Sequence, residues 1–576
     1  MANITINNRK LEVENGSTIL ESAKKISINI PTLCHMYMID GKSRNCKGSC
    51  RVCVVEVKGR KTLQAACAVE VTDGMVIKTN STRVIRARKT IVELLLSTHP
   101  NDCLKCNKNL NCELQTLAAE LGVDRNRFDG ENIGCKIDNS SFAIVRDMNK
   151  CILCRRCVTA CSDVQNINIL TPINRGIKTY ISNSFNRPIT DTACTYCGQC
   201  VAVCPTGALM EVENYSEIWP LLEDENKCVV IQIAPAVRVA LGEEFGLSPG
   251  SITTKKIVGA LKSLGFNSVY DTSFAADLTI MEESNEFINR FNGCKNMPLL
   301  TSCCPAWINF VEKNYEESIN LLSTCKSPQQ MFGSIAKEYL PKYLKVKKEN
   351  LVVVSIMPCI AKKYEAKREE MNNNGTRDVD IVITTRELAK MIKEAGIDFN
   401  NIKDEEFDNP LGESTGAAVI FGSSGGVMEA ALRTAYEFLT ESTLDNIEFK
   451  MLRGLDNIKE ATVNINGRDI NVAAISSLAK AREVMEEIRL GNCKYDFIEV
   501  MACPGGCVNG GGQPLIKSNR KVLKKRINAI YNEDSNNEIR RSHENPMIKK
   551  IYEELLIEPN SIISHSLLHT VYNSKK

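Results

Sequence analysis

Twenty-six cysteines punctuate this chain of 576 residues, and their spacing decides what they can do. Cys151, Cys154, Cys157 and Cys161 form a C-x2-C-x2-C-x3-C run, which returns as Cys194, Cys197, Cys200 and Cys204 followed by Pro205. Three thiolates in one tight loop can grip a 4Fe–4S cube, while the fourth, carried away on the next helix, reaches a second cube. The doubled run therefore predicts crossed ligation. One cluster takes Cys151, Cys154, Cys157 and Cys204; the other takes Cys194, Cys197, Cys200 and Cys161. A zinc pair needs no such crossed pattern. Disulfide frameworks belong to short secreted chains, whereas this one is long and opens on a polar MANITINNRK without an apolar export core.

Two further groups precede the run. GSCRVCVVEV holds Cys50 and Cys53, with Cys34 upstream and Cys67 downstream. It resembles the β-grasp, plant-type 2Fe–2S ferredoxin domain found at the start of several redox enzymes. Cys46 stands nearby as the alternative to Cys50; the register of CRVCVVEV favours Cys50 and leaves Cys46 a free thiol. Next comes His99-x3-Cys103-x2-Cys106-x5-Cys112, three thiolates and an imidazole for a 4Fe–4S cluster. Exchanging a thiolate for imidazole removes negative charge and raises the cluster potential.

Hydrophobic period shows what must position these groups. Residues 1–80 alternate short strands and turns in an antiparallel pattern around one helix, the 2Fe–2S domain. Residues 81–130 read as a small helical 4Fe–4S domain, and 131–213 as a two-cluster, bacterial-ferredoxin-like domain built on an internal repeat. From 214 to 576 the runs KCVVIQIAP, NSVYDT, MPLLTSC, LVVVSIMPC, VDIVITT and DFIEVMAC alternate with helical patterns. Near-continuous apolar strands of this kind predict an α/β domain whose parallel sheets are covered on both faces. The fold class is thus multidomain, α+β followed by α/β. The basic tail after 515 reads as helices with solvated charges. A net charge of +3 over this length argues against a nucleic-acid protein, and no apolar run approaches the roughly 20 residues of a membrane span. The expectation is a soluble, cytoplasmic protein.

Four cysteines lie late in the chain: Cys304 in TSCCPAW, Cys359 in MPCIAKK, and Cys503 and Cys507 in MACPGGCVNGGGQP. Cys304, Cys359 and Cys503 each follow an apolar strand, and strand C-terminal ends are where α/β sheets bind ligands. Three strands thus deliver a thiolate to the same edge. The ligand count then closes, with nineteen cysteines and His99 serving five clusters of four ligands.

Together and in this order, the three late motifs resemble the signatures of the di-iron (FeFe) hydrogenases. The cluster series ahead of them resembles the many-cluster, monomeric clostridial form, and the resemblance covers essentially the whole chain. It implies an H-cluster: a 4Fe–4S cube on Cys304, Cys359, Cys503 and Cys507, bridged by Cys507 to a di-iron unit with CO, cyanide and azadithiolate ligands. It implies reversible reduction of protons to molecular hydrogen, with electrons from reduced ferredoxin or flavodoxin passing one 2Fe–2S and three accessory 4Fe–4S clusters. Dedicated maturation proteins would install the di-iron unit. The proton–hydrogen couple lies near roughly −0.41 V at neutral pH and plant-type clusters around about −0.4 V, so wire and reaction are nearly isoenergetic.

Cys303 adjoins ligand Cys304, and neighbours on an extended chain point to opposite sides, so the two cannot share one centre. The resemblance makes Cys303 the proton donor, fed by the relay Glu286, Ser323, Glu283, a water, then Cys303. Glu283 and Glu286 stand at i, i+3, and by themselves would read as an exposed helical face. Lys362 follows Cys359 by three residues, and a buried lysine needs an anion, for which an iron-bound cyanide would serve. By the same resemblance Pro235 and Ala236 of APAVR, Pro328 and Gln329 of KSPQQ, Met357, Met501 and Phe421 of FGSSGG line the pocket. Ala236 replaces the serine of some members, which removes one hydrogen bond to cyanide. The glycines of FGSSGGVMEAALR and NGGGQP match neither phosphate-loop nor dinucleotide spacing and read as close backbone approach to a cofactor. Cys135, Cys228, Cys294, Cys325 and Cys493 read as packing thiols. A hydrogenase-like iron–sulfur assembly protein or a hydrogen sensor is the competing reading; retention of Cys303, Glu283, Glu286, Lys362 and Cys507 argues against assembly, and the absence of a visible signalling domain against sensing.

Overall fold

The computed structural model describes residues 1–37, 47–124, 127–373, 375–444, 446–517 and 519–575; Cys46 lies outside them. Near the N-terminus a five-stranded sheet runs in the order Arg9–Val13, Ala2–Ile6, Val76–Lys78, Val54–Val57, Gln64–Ala65. Ile4, Ile6, Val55 and Ile77 bury one sheet face against Ile19 and Ala23 of the helix Ile19–Lys25. That helix starts at a capping box, in which Thr18 and Glu21 satisfy each other's backbone amides. One pairing departs from the antiparallel expectation: Ala2–Ile6 runs parallel to Val76–Lys78. The helix and cluster loop lie between them in sequence, and such a long crossover is what a parallel pair requires.

Helices Thr82–Ser97 and Glu113–Glu120 flank the His99 group. In the repeat, Ile144–Arg146 pairs antiparallel with Leu209–Glu211. Cys157 sits on the short helix Arg156–Thr159 and Cys200 on Gln199–Val203, while Cys161 and Cys204 come one turn later. That extra turn is the reach that crossed ligation needs.

All six apolar runs beyond 214 are strands, and they divide between two sheets. The first, Ser268–Asp271, Cys228–Ile233, Leu351–Met357, Ile381–Thr384, is parallel throughout. Its two central strands are buried at every residue, as a sheet covered on both faces demands. The second runs Leu299–Leu300, Phe497–Met501, Arg468–Ser476, Ile458–Ile465, parallel until the closing hairpin. That hairpin turns on Asn466 and Gly467, both at positive φ (51° and 83°), the turn geometry that matches strand twist.

Helix Thr272–Gly293 is packed by helices Pro328–Leu344 and Gly426–Thr440. That packing buries the glutamates that i, i+3 spacing alone would leave solvated: Glu283 is 1% and Glu286 9% exposed. In the tail, helices Arg520–Asn536, Pro546–Ile551 and Ile562–Leu568 return to the α/β body. Lys521, Lys524 and Lys525 are solvated as expected, but Arg526 is buried against Glu243. No helix among the described residues is long and apolar enough to cross a membrane.

Candidate functional site

The late cysteines do not line one sheet edge. Cys359 lies two residues beyond Leu351–Met357 of the first sheet, whereas Cys304 and Cys503 follow Leu299–Leu300 and Phe497–Met501 of the second. They meet in the cleft between the two sheets, with Cys507 brought in on the turn Cys507–Asn509. Gly506, at φ 99°, makes that turn possible: a Cβ there would stand 2.4 Å from the Ser424 amide nitrogen. Burial, then the charge of Cys304, pushes Cys359 up to about 12. Burial, then Cys359, Cys304 and Cys507, pushes Cys503 well above an ordinary thiol. Four thiolates this close, two of them buried and two half-buried, cannot coexist bare, because each penalises the others' charge. A cationic iron–sulfur core removes that penalty, so the donor set fits a cube on Cys304, Cys359, Cys503 and Cys507.

Beside Cys359 and Cys507 opens a cavity of about 70 Å³. It gathers all the pocket residues the resemblance named: Pro235, Ala236, Pro328, Gln329, Met357, Phe421 and Met501, with Cys303 and Lys362. Lys362 Nζ donates at 3.0 Å to each carboxyl oxygen of Glu365 and at 3.1 Å to the Cys303 carbonyl. The lysine thus has an anion within the chain. Glu365 also accepts from Ser327 and Gln329; its i, i+3 spacing from Lys362 is the signal by which the sequence could have disclosed it. The glycines differ from expectation. Gly510 approaches the Pro358 carbonyl and Gly425 the Leu452 carbonyl, so they let protein loops cross around the site, while Gly422 lines the cavity itself.

Behind Cys303 the polar residues follow one another. Burial first, then the Glu283 charge, raises the Cys303 thiol well above its ordinary value. No hydrogen bond of full geometry reaches either Glu283 carboxyl oxygen among the described residues. Burial, then Glu286, pushes that carboxyl up to about 8 against the opposing influence of the nearby Ser323 hydroxyl and Ser302 amide. Ser323 Oγ donates to Glu286 Oε2 at 2.7 Å, and Arg290 meets Glu286 Oε1 at 2.5 Å. The structure thus brings together Cys303, Glu283, Ser323 and Glu286. Cys325, expected as packing, lies with its Sγ 3.8 Å from Glu286 Oε2. Cys294, also expected as packing, is exposed.

The accessory groups assemble as spaced. Cys53 Sγ is 3.4 Å from Cys67 Sγ, and the Gly48 amide donates to Cys67 at 3.2 Å. Cys50 hydrogen-bonds Cys34, the main reason its thiol is raised. His99, Cys103, Cys106 and Cys112 line one cavity of about 350 Å³. His99 Nδ1 is buried without a hydrogen-bond partner, and burial favours the neutral ring, the form that ligates metal. In the repeat, burial raises Cys151, Cys154 and Cys157, with nearby Cys204 adding to it, and raises Cys194, Cys197 and Cys200, with nearby Cys161 adding to it. That proximity is what crossed ligation would need. The repeat meets the cleft through Gln199 Nε2, 3.3 Å from Cys503 Sγ, and through Gln165 Nε2, 2.8 Å from the Ala502 carbonyl. Neither glutamine carries a sequence signal, since both act across a contact more than 300 residues apart.

Family comparisons agree with this geometry. Residues 227–511 match the C-terminal domain of the iron only hydrogenase large subunit, and 520–575 the iron hydrogenase small subunit. Residues 1–82 match a 2Fe–2S cluster binding domain, 88–127 the iron–sulfur binding region of NADH-ubiquinone oxidoreductase G, and 150–208 a 4Fe–4S dicluster domain. The NADP-reducing hydrogenase subunit HndD of Solidesulfovibrio fructosivorans is 51% identical across 99% of both chains. Iron hydrogenase 1 of Clostridium pasteurianum is 40% identical over 99% of this chain and 100% of its own. A solved [FeFe]-hydrogenase, HydA(deltaEFG), superposes with a TM-score of 0.57 at 40% identity, over 63% of this chain and 99% of that one. With matched domains in the same order as the cysteine groups and relatives spanning its full length, the chain belongs to the iron-only, or FeFe, hydrogenase family.

Proposed function

We propose that this hydrogenase reduces protons to molecular hydrogen, reversibly, at the cavity walled by Cys303, Lys362 and Cys507. The carrying observation is that Glu286, Ser323, Glu283 and Cys303 lead in that order to the cavity that Cys359 and Cys507 border. When bound, the di-iron group supplies the open metal position at which protons and hydrogen interconvert. The chain's own residues do the rest. Cys303 gives up its thiol proton into the cavity and is reloaded from Glu283, whose pKa, pushed up to about 8, suits it to both accepting and donating near neutral pH. Ser323 joins Glu283 to Glu286, which takes protons from the surface side beside Arg290. Lys362, held by Glu365, fixes a positive charge at the cavity wall, and Pro235, Pro328, Met357, Phe421 and Met501 exclude bulk water.

Electrons would enter through the clusters on Cys34, Cys50, Cys53 and Cys67 and on His99, Cys103, Cys106 and Cys112. The two cubes held by the repeat would continue that electron path, and Cys197 and Gln199 bring the repeat against Cys503. The donor in this reading is reduced ferredoxin or flavodoxin, acting on a cytoplasmic monomer loaded by maturation proteins. A second reading is favoured by one observation, that a 51% identical relative is named a subunit of an NADP-reducing hydrogenase; electrons would then come from a nucleotide-oxidising partner protein. Anaerobic hydrogen evolution by the matured chain separates them. Reduced ferredoxin is expected to sustain evolution at a rate comparable to reduced methyl viologen; evolution from methyl viologen but not from reduced ferredoxin would overturn the ferredoxin reading and favour the partner protein.

A further inference from the structure

The C-terminal tail brings a second polar line onto the relay. His569, 5% exposed, follows helix Ile562–Leu568. Its Nδ1 lies 2.8 Å from Thr324 Oγ1 and its Nε2 3.0 Å from Glu282 Oε2. Thr324 Oγ1 in turn lies 3.4 Å from Glu286 Oε1. Glu286, Thr324, His569 and Glu282 are therefore connected, although Glu282 takes no part in the relay.

Glu282 receives the Tyr552 hydroxyl at 2.6 Å, the Ser564 hydroxyl at 2.5 Å and the Asn560 amide at 2.8 Å, besides His569. Burial would raise this carboxyl, but the bonds from His569, Ser564 and Tyr552 outweigh it and leave it below its ordinary value. An ionised carboxylate can only accept, so His569 Nε2 carries a proton whatever the ring's charge. The state of the ring is then expressed at Nδ1. In the neutral ring Nδ1 accepts, and the single hydroxyl proton of Thr324 points to it. In the imidazolium Nδ1 donates to Thr324, and that hydroxyl proton is free for Glu286.

We propose that His569 is a proton-sensing positioning residue for the relay: on gaining a proton it turns the Thr324 hydroxyl toward Glu286, and on losing it turns the hydroxyl away. The inference rests on the relay proposed above. Facing His569 are Glu282 and Glu286 from helix Thr272–Gly293, Cys325 through a backbone bridge, and His565, whose ring stacks on it at 4.4 Å. Tyr552 reaches it through Glu282, and Arg290 through Glu286. At acid pH Glu286 thus has one more donor and releases protons readily. At alkaline pH it loses that donor and holds protons more firmly as they become scarce.

His569→Gln keeps an amide donor for Glu282 and a carbonyl acceptor for Thr324 but cannot titrate, so it locks the neutral arrangement. In the matured holoenzyme, hydrogen oxidation at acid pH should be about fivefold slower than in wild type, the worth of one hydrogen bond. The two rates should converge at alkaline pH. Thr324→Val should lose the same acid-side advantage, and Thr324→Ser should restore the wild-type profile. The carboxylic-acid C=O infrared band of Glu286, assigned by its loss in Glu286→Gln, should persist to higher pH in His569→Gln. A pH-independent slowing, or an unchanged profile and band, overturns the proposal and leaves the relay standing. Full activity in Glu286→Gln overturns the relay itself.

Discussion

Glu283→Gln is expected to slow hydrogen evolution by about a hundred- to ten-thousandfold, the usual worth of a positioned proton-transfer group, with iron content unchanged. Glutamine keeps the shape of the side chain and removes the transferable proton. Glu283 is buried, and burial with the Glu286 charge pushes its pKa up to about 8, so it is protonated at neutral pH. Evolution by the wild type should therefore decline above about pH 8, as the carboxyl empties, and the variant should lose that limb. Stability runs the same way. A carboxyl with a raised folded pKa contributes fully below its unfolded value, about 4.3, and its contribution is lost as pH rises through about 8. At alkaline pH Glu283→Gln should melt no lower than wild type. Initial rates from reduced methyl viologen, paired with thermal melts, separate the catalytic effect from a folding one.

Asp534→Ala is expected to destabilise the α/β body by about 3–5 kcal/mol, the typical cost of removing one partner of a buried ion pair. Asp534 receives Arg433 Nη1 at 2.8 Å and Nη2 at 2.9 Å, and Arg540 Nη2 at 2.6 Å. Arg433 is fully buried and tied also to Glu429. This network clips the tail helix Arg520–Asn536 to helix Gly426–Thr440, which packs on the helix carrying Glu283. Burial would raise Asp534, but Arg433 and Arg540 bring it below its ordinary value. Its contribution is therefore present above the unfolded pKa, about 3.9, and lost as pH falls through the lower folded value. Chemical denaturation near neutral pH should show the full loss, and the gap between variant and wild type should narrow in acid.

Much of the site was legible because the informative residues are bound to local rules. A C-x2-C-x2-C-x3-C spacing states its own loop and helix, and the apolar runs Cys228–Ile233 and Leu351–Met357 are strands because they are buried on both faces. Strand Ile458–Ile465 escaped that reading because its residues alternate between buried and exposed; the Asn466–Gly467 turn was the available signal. The division into two sheets, and hence a cleft in place of one edge, depends on which strands pair across hundreds of residues, and no local period encodes that. Glu282, Gln199 and His569 were missed for the same reason. Each is an ordinary polar residue until the fold supplies its partner. Glu283 and Glu286 had to be taken from the resemblance, since i, i+3 glutamates on a helix read as solvated until helices Pro328–Leu344 and Gly426–Thr440 bury them.

Anaerobic hydrogen evolution from reduced methyl viologen, by fully matured wild type and Cys303→Ala at equal iron content, asks whether protons reach the cavity through that thiol. Fast evolution by the wild type and near-total loss in the variant is the predicted result. Equal evolution by both would contradict it.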